Sequence, residues 1–231
     1  MLNYFIIIGG GYSINTGLNM GLKEKLENKN VITLNYSFLH FPHAFMVFVD
    51  KGFYIGDSKH PNISDNLKKE PLIVGFDNNT NLQVFGNTIL LKGSNKFYKN
   101  PKNGFYNPIL CGLYALHIAC WLLDYKGEIY LLGYDFNFKK YNITHYYTDI
   151  IHRGVGFVSF YNSKDPNILF SPFTECGCKI FNIIGDPESR IGIFENITYE
   201  GFIKVVLDSL PSVDYNEVRN IVKNKLKTLI F

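Results

Sequence analysis

The sequence predicts an α/β fold of the Rossmann-like kind, a mostly parallel sheet flanked by helices. Three observations predict it. The chain opens with an apolar run, Tyr4 to Ile8, that ends in Gly9-Gly10-Gly11. A second run, Ile129 to Leu132, sits between Gly127 and Gly133 and follows a segment of helical apolar period. Runs that are apolar at every position, without alternation, suit strands buried on both faces. Lastly, the residues just after these runs are small, polar or acidic, and open α/β sheets bind ligands outside the carboxyl ends of their strands.

The elements follow in order. Tyr4 to Ile8 is the first strand. Its glycine turn lets backbone N–H groups come close to a phosphate at the start of a helix. Ser13, Asn15 or Thr16 caps that helix, which is expected to run to about Asn28 with Leu18, Leu22 and Leu26 inward. The turn is neither a Gly-x-Gly-x-x-Gly string, because Ile14 interrupts it, nor a Walker loop, because no Gly-Lys-Ser/Thr follows. Val31 to Leu34 is a second strand ending at Asn35. Phe45 to Val49 is a third ending at Asp50, where a carboxylate can accept from ribose hydroxyls or cap the next turn. Leu72 to Val74 and Thr88 to Leu91 read as further strands. Asn78-Asn79, Gly93-Ser94-Asn95 and the stretch from Asn100 to Gly104 read as turns.

The centre of the chain carries the densest pattern. From Ile109 to Leu123, apolar residues at 109, 110, 113, 116, 120 and 123 form one helix face. Cys111, Gly112, Ala115 and Ala119 allow close packing there. The buried strand Ile129 to Leu132 stops at Gly133-Tyr134-Asp135. A polar, aromatic loop follows with His145, Tyr146, Tyr147, Asp149 and His152. Residues 136–175 read as a small lid after this strand. Lys179 to Ile184 is the last strand, ending in a polar turn where Ser189 and Arg190 are placed to meet phosphate. Two helices close the chain, Tyr199 to Leu210 and Tyr215 to Leu229. Arg219, Lys223, Lys225 and Lys227 on the second read as a solvated basic face. No repeat or composition break divides residues 1–231, so one domain is expected.

Composition narrows the function classes. With 46% hydrophobic and 19% charged residues the chain can bury a core. A net charge of +3 gives no electrostatic reason to expect nucleic acid. No apolar run approaches the ~18 residues of a membrane span. The N-terminal run lacks a basic flank and reads as a strand, not a signal peptide. Cys111 and Cys120 read as small core residues. Cys176-Gly177-Cys178 is one residue short of a usual zinc pair and has no second pair, so no metal is expected. Unpaired thiols fit a reducing compartment, and a cytoplasmic location is expected.

Taken together, Cys111-Gly112-Leu113-Tyr114-Ala115, Leu131-Leu132-Gly133-Tyr134-Asp135 and Thr144-His145-Tyr146-Tyr147-Thr148-Asp149 resemble a Rossmann-like family. It includes bacterial sialyltransferases of lipooligosaccharide synthesis, archaeal 6-hydroxymethylpterin diphosphokinase-like proteins and phage-encoded members. The phage proteins look most similar, through a shared His-aromatic-x-x-Asp-His string. The Gly9-x-Gly11-x-Ser13 turn and the late strand fit the same family. The resemblance implies a transferase with a nucleotide-activated donor, a metal-independent glycosyltransferase that needs no cofactor. Gly9, Gly11, Ser13, Asn35, Asp50, Gly112 and Asp135 would then contact the nucleotide. His145 or His152 would be the base on the acceptor hydroxyl, with Asp149 in the catalytic set, since imidazole titrates near working pH. Tyr146, Tyr147 and Arg190 would hold the phosphate. The chain departs from the family at Cys111, where the transferases carry Ser or Thr, and at Tyr12, where Pro is usual.

The pterin branch implies an alternative, a diphosphokinase with Mg²⁺ on Asp50, Asp135 and Asp149 and a clamp from Arg153 and Arg190. A third alternative is a non-catalytic phage or host-interaction protein that keeps the fold. The expected partners of the main reading are a nucleotide-sugar and a small-molecule or glycan acceptor, with no nucleic acid and no transmembrane segment. A phage-encoded chain would work in the host cytoplasm. Self-association into a homo-oligomer is compatible with this reading.

Overall fold

The computed structural model describes residues 2–49, 61–77, 87–108, 110–137, 146, 165–186 and 188–229. Its strands are β1 (Tyr4–Ile8), β2 (Val31–Leu34), β3 (Phe45–Phe48), β4 (Ile73–Asp77), β5 (Thr88–Ser94), β6 (Phe105–Tyr106), β7 (Glu128–Leu132), β8 (Lys179–Ile184) and β9 (Glu195–Thr198). They form a nine-stranded sheet of order β6-β5-β4-β3-β2-β1-β7-β8-β9 in which every neighbouring pair is parallel. This is the α/β, Rossmann-like architecture expected. The chain steps outward from β1 to β6 and then returns to place β7 on the other side of β1. The order therefore reverses between β1 and β7, the position outside whose carboxyl edge open α/β sheets bind ligands.

The helices are α1 (Ile14–Leu18), α2 (Leu22–Lys25), α3 (Pro61–Lys69), α4 (Cys111–Leu122) and α5 (Pro166–Phe170). The helical segments Tyr199–Gly201, Phe202–Val206 and Leu207–Ser209 run on as α6, with a wider π-type turn in the middle, and α7 spans Tyr215–Lys227. Strand alternation divides the core. On β1, Phe5 and Ile7 face one layer with α4 and α7, while Tyr4, Ile6 and Ile8 face the other with α1, α2 and α6. All five β1 side chains are buried, which explains a run apolar at every position. Each fully buried Ile, Leu or Phe stabilises the fold by ~1.5–3 kcal/mol.

The following expectations need correction. The helix drawn from the glycine turn to Asn28 is two short helices, because Gly21 adopts φ +77 and turns the chain between them. Its inward face survives, with Leu22 and Leu26 fully buried. The segment before Tyr199 adds an edge strand, β9, and α3 and β6 fall in the stretch read only as strands and turns.

Two of the four basic residues of α7 dock onto the core, while Lys227 stays exposed as expected. Arg219 donates from Nε to Ala44 O (2.7 Å) and from Nη2 to His43 O (3.1 Å). Lys225 donates to Trp121 O (2.9 Å) and Leu122 O (3.2 Å), and pairs with Asp124 (2.5 Å). Trp121 O also accepts from Asp124 N–H (3.0 Å), so the ammonium adds a second donor there and places a positive charge at the negative end of α4. In the expected lid, residues 165–175 include α5 and a 3₁₀ turn that put Phe170 and Phe173 into the core. Residues 138–145 and 147–164 of that stretch lie outside the described residues. Among the described residues no helix is long and apolar enough to cross a membrane.

Candidate ligand site at the carboxyl edge

The turns after β1 and β7 meet at the reversal. Gly9 N–H donates to Leu132 O (2.8 Å) and Gly11 N–H to Gly133 O (2.9 Å). A Cβ on Gly11 would lie 2.4 Å from Gly133 O and 2.5 Å from an Asp135 carboxylate oxygen, so the approach requires glycine. Ser13 then closes the junction. Its N–H donates to Asp135 Oδ2 (2.8 Å) and its hydroxyl to Asp135 Oδ1. Ser13 precedes α1 but its side chain does not cap that helix, contrary to one of the three cap assignments. The hydroxyl is committed to Asp135 instead.

Asp135 is a latch between two turns. Its side chain is buried, and desolvation raises its pKa from 3.8 to about 6 against the opposing pull of the two Ser13 bonds. The polar turn after β8 grips the same segment. Arg190 N–H donates to Asp135 O (2.7 Å), Ser189 Oγ to Tyr134 O (2.6 Å) and Arg190 Nη1 to Phe136 O (3.3 Å). Behind the turn, Gly112 in the first turn of α4 leaves room for the Tyr134 ring, which a Cβ there would meet at 2.7 Å. The Cys111 thiol reaches Val47 O at the end of β3 (3.5 Å).

The second wall comes from β2. Ile8 pairs with Thr33, so Asn35 stands two residues further along the same edge. Asn35 holds φ +46, a left-handed backbone that non-glycine residues adopt at a cost and that clusters at functional positions. Its Oδ1 is buried and has no hydrogen-bond partner among the described residues. Ser37 Oγ donates to Gly9 O (2.9 Å), and Tyr146 N–H donates to Gly10 O (2.9 Å). The Tyr146 ring sits edge-on to His40 (5.6 Å) and Phe41 (6.0 Å). Burial raises the Tyr146 phenol pKa, with a Ser37 hydrogen bond opposing. Burial also lowers the pKa of His40, helped by the Lys23 charge, so its imidazole is neutral at pH 7. His40 Nε2 is buried without a partner among the described residues.

Of the residues singled out in the sequence, Gly9, Gly11, Ser13, Asp135 and Arg190 form one connected junction. Tyr146 is seated on it, Asn35 flanks it, and Gly112 supports it from behind. Asp50, His145, Tyr147, Asp149, His152 and Arg153 lie outside the described residues. Sequence reasoning missed Ser37, His40 and Tyr199. Ser37 and His40 follow β2 within six residues, so the strand-end rule could have reached them. Tyr199 begins α6, far along the chain, and carries no local signal. Its phenol pKa is raised by burial and then by the Asp135 charge.

Chemically, the edge offers a glycine turn, a buried amide, a neutral imidazole and a phenol. Such a set can hydrogen-bond a polar ligand and accept a proton. Comparison with known protein families, curated proteins and solved structures finds no match to this chain.

Proposed function

We propose that the protein is a transferase that takes a nucleotide-activated donor at this carboxyl edge, acting as a metal-independent glycosyltransferase. The observation that carries the reading is Asn35: an amide at a strand end, in a strained backbone, with a buried oxygen that has no partner among the described residues. A buried polar atom without a partner costs about 1–3 kcal/mol, a cost that a ligand donor such as a nucleobase amine or ribose hydroxyl would remove. The position of Asn35, beside the reversal point and the glycine turn, is where open α/β sheets hold nucleotides. The resemblance of the three central motifs to the sialyltransferase-containing family supports the choice of group transfer.

The metal-independent form is favoured over the Mg²⁺ diphosphokinase by Asp135. Both of its oxygens accept from Ser13. Asp135 is thereby engaged as a latch between turns, and the other two carboxylates, Asp50 and Asp149, lie outside the described residues. In this reading the donor lies against the Gly9–Ser13 turn, whose Gly9, Gly11 and Ser13 N–H groups are already bonded within the junction, and a histidine takes the acceptor proton. His145 and His152 are the bases implied by the resemblance, and His40 is a third, already beside Tyr146.

A thermal-shift screen with CMP, UDP, GDP and ATP, each with and without Mg²⁺, tests this. A ligand that binds only the native state raises the melting temperature by mass action. The reading expects a rise with one nucleotide that is unchanged by Mg²⁺. A rise only with ATP and Mg²⁺ would favour the diphosphokinase, and no rise in a folded sample would favour an interaction protein.

A further inference from the structure

At the opposite, amino edge of the sheet, three free thiols converge. Cys120 lies in α4, and Cys176 and Cys178 lie in the turn that leads into β8. Their sulfur atoms all lie within 4.8 Å of one another, and Cys120 Sγ is 3.7 Å from Cys176 Sγ. Chain spacing hides this set, because Cys120 is 56 residues from Cys176. Two sulfurs on one zinc ion with Zn–S near 2.3 Å stand roughly 3.8 Å apart in tetrahedral geometry and roughly 4.0 Å apart in a trigonal plane. The observed edge is of that size, and far longer than the ~2.05 Å of a disulfide.

The two arms are held independently of any ion. Tyr125 N–H donates to Cys120 O (2.8 Å), which ties the end of α4 back on itself. Gly177, at φ +107, passes so close to Tyr125 that a Cβ there would lie 2.5 Å from Tyr125 O. Only glycine fits, which accounts for the Cys-Gly-Cys spacing. Cys178 N–H donates to Cys176 Sγ (3.4 Å). Cys120 and Cys176 are buried and Cys178 is half-buried.

The nearby His117 is already engaged. Its Nδ1 accepts from Tyr106 N–H (2.7 Å), so Nε2 carries the proton and donates to Tyr125 OH (3.1 Å), which in turn donates to Lys99 O (2.8 Å). The described ligand set is therefore three sulfurs and no imidazole. Soft thiolates of low coordination number select d¹⁰ ions, Zn²⁺ or Cu⁺, over hard cations.

We propose that Cys120, Cys176 and Cys178 form a structural three-thiolate site for a thiophilic d¹⁰ metal ion that staples the end of α4 to the entry of β8. On binding, each ligating thiol gives its proton to solvent, and neither sulfur nor metal changes oxidation state. The site lies at the other end of the strands from the carboxyl edge and does not depend on the transferase reading.

The test is metal analysis of the reduced full-length chain, equilibrated with Zn²⁺ or with Cu⁺ and freed of excess ion, alongside Cys120→Ala and Cys178→Ser. One ion per chain is expected in the wild type, with a higher melting temperature, and loss of both in each variant. The arm that loads identifies the ion. Cys178 is partly exposed, so Cys178→Ser keeps the fold and decides the matter if Cys120→Ala does not fold. Wild type without a stoichiometric ion, an ion retained in Cys178→Ser, or a Cys120–Cys176 disulfide found by mass spectrometry in the protein as isolated would overturn the proposal.

Discussion

Replacing Asp135 by Asn removes one charge and keeps the shape of the junction. The amide oxygen can accept the Ser13 N–H, and the amide nitrogen can donate to the Ser13 hydroxyl, so both contacts survive. The carboxyl titrates at 3.8 in the unfolded reference and at about 6 in the native state. Between those values the native state holds a proton that the unfolded chain has released. Wild-type stability therefore falls as pH rises through this window, and the loss is complete above about 6. The interval corresponds to about 3 kcal/mol. Other titrating groups are common to both proteins and cancel in the comparison. Urea unfolding followed by circular dichroism, run at pH 4 and pH 7.5, reads the difference directly. Asp135→Asn should match the wild type near pH 4 and exceed it by about 3 kcal/mol at pH 7.5. A variant less stable than the wild type at pH 7.5 would refute the reasoning, because it would mean that the ionised carboxylate holds the junction together.

Two further predictions concern stability. His117 has its pKa lowered by burial from 6.5 to about 4, so its contribution is present above 6.5 and is lost as pH falls toward 4. In His117→Asn, which keeps an acceptor for Tyr106 N–H, the stability gap to the wild type should shrink by about 3 kcal/mol between pH 7 and pH 4; a gap independent of pH in urea titrations would contradict this. Lys225→Met removes the donor to Trp121 O and Leu122 O while keeping an aliphatic stem, and should cost about 1–2 kcal/mol in the same assay. An unchanged melting temperature would restore α7 to a solvated basic face.

The buried strands were legible because burial on both faces writes itself as unbroken apolar runs. β1, β2 and β8 sit where their runs place them, within a residue. β9 left no such trace: Glu195–Thr198 is a mostly exposed edge strand with polar residues, which pairing with β8 alone defines. α3 was missed because its amphipathic stretch follows loop-like sequence and is polar on average. The break at Gly21 was hidden because Leu18, Leu22 and Leu26 keep helical spacing through it.

At the site, the strand-end rule found Gly9, Ser13, Asn35 and Asp135, but it could not say that Ser13 and Asp135 would bind each other. That contact spans 122 residues and depends on β1 and β7 lying side by side. The same blindness to sequence separation made Arg219 and Lys225 read as surface charges, although their partners, Ala44 and Trp121, are more than a hundred residues away.

The most direct test of the central claim is a calorimetric titration of the best nucleotide ligand into the wild type and Asn35→Ala at pH 7. If the Asn35 amide contacts the donor, the wild type binds and the variant binds about 5- to 10-fold more weakly, the equivalent of one neutral hydrogen bond of about 1 kcal/mol or slightly more. Equal affinity in the two proteins, or no binding by a folded wild type to any of the four nucleotides, would contradict the account.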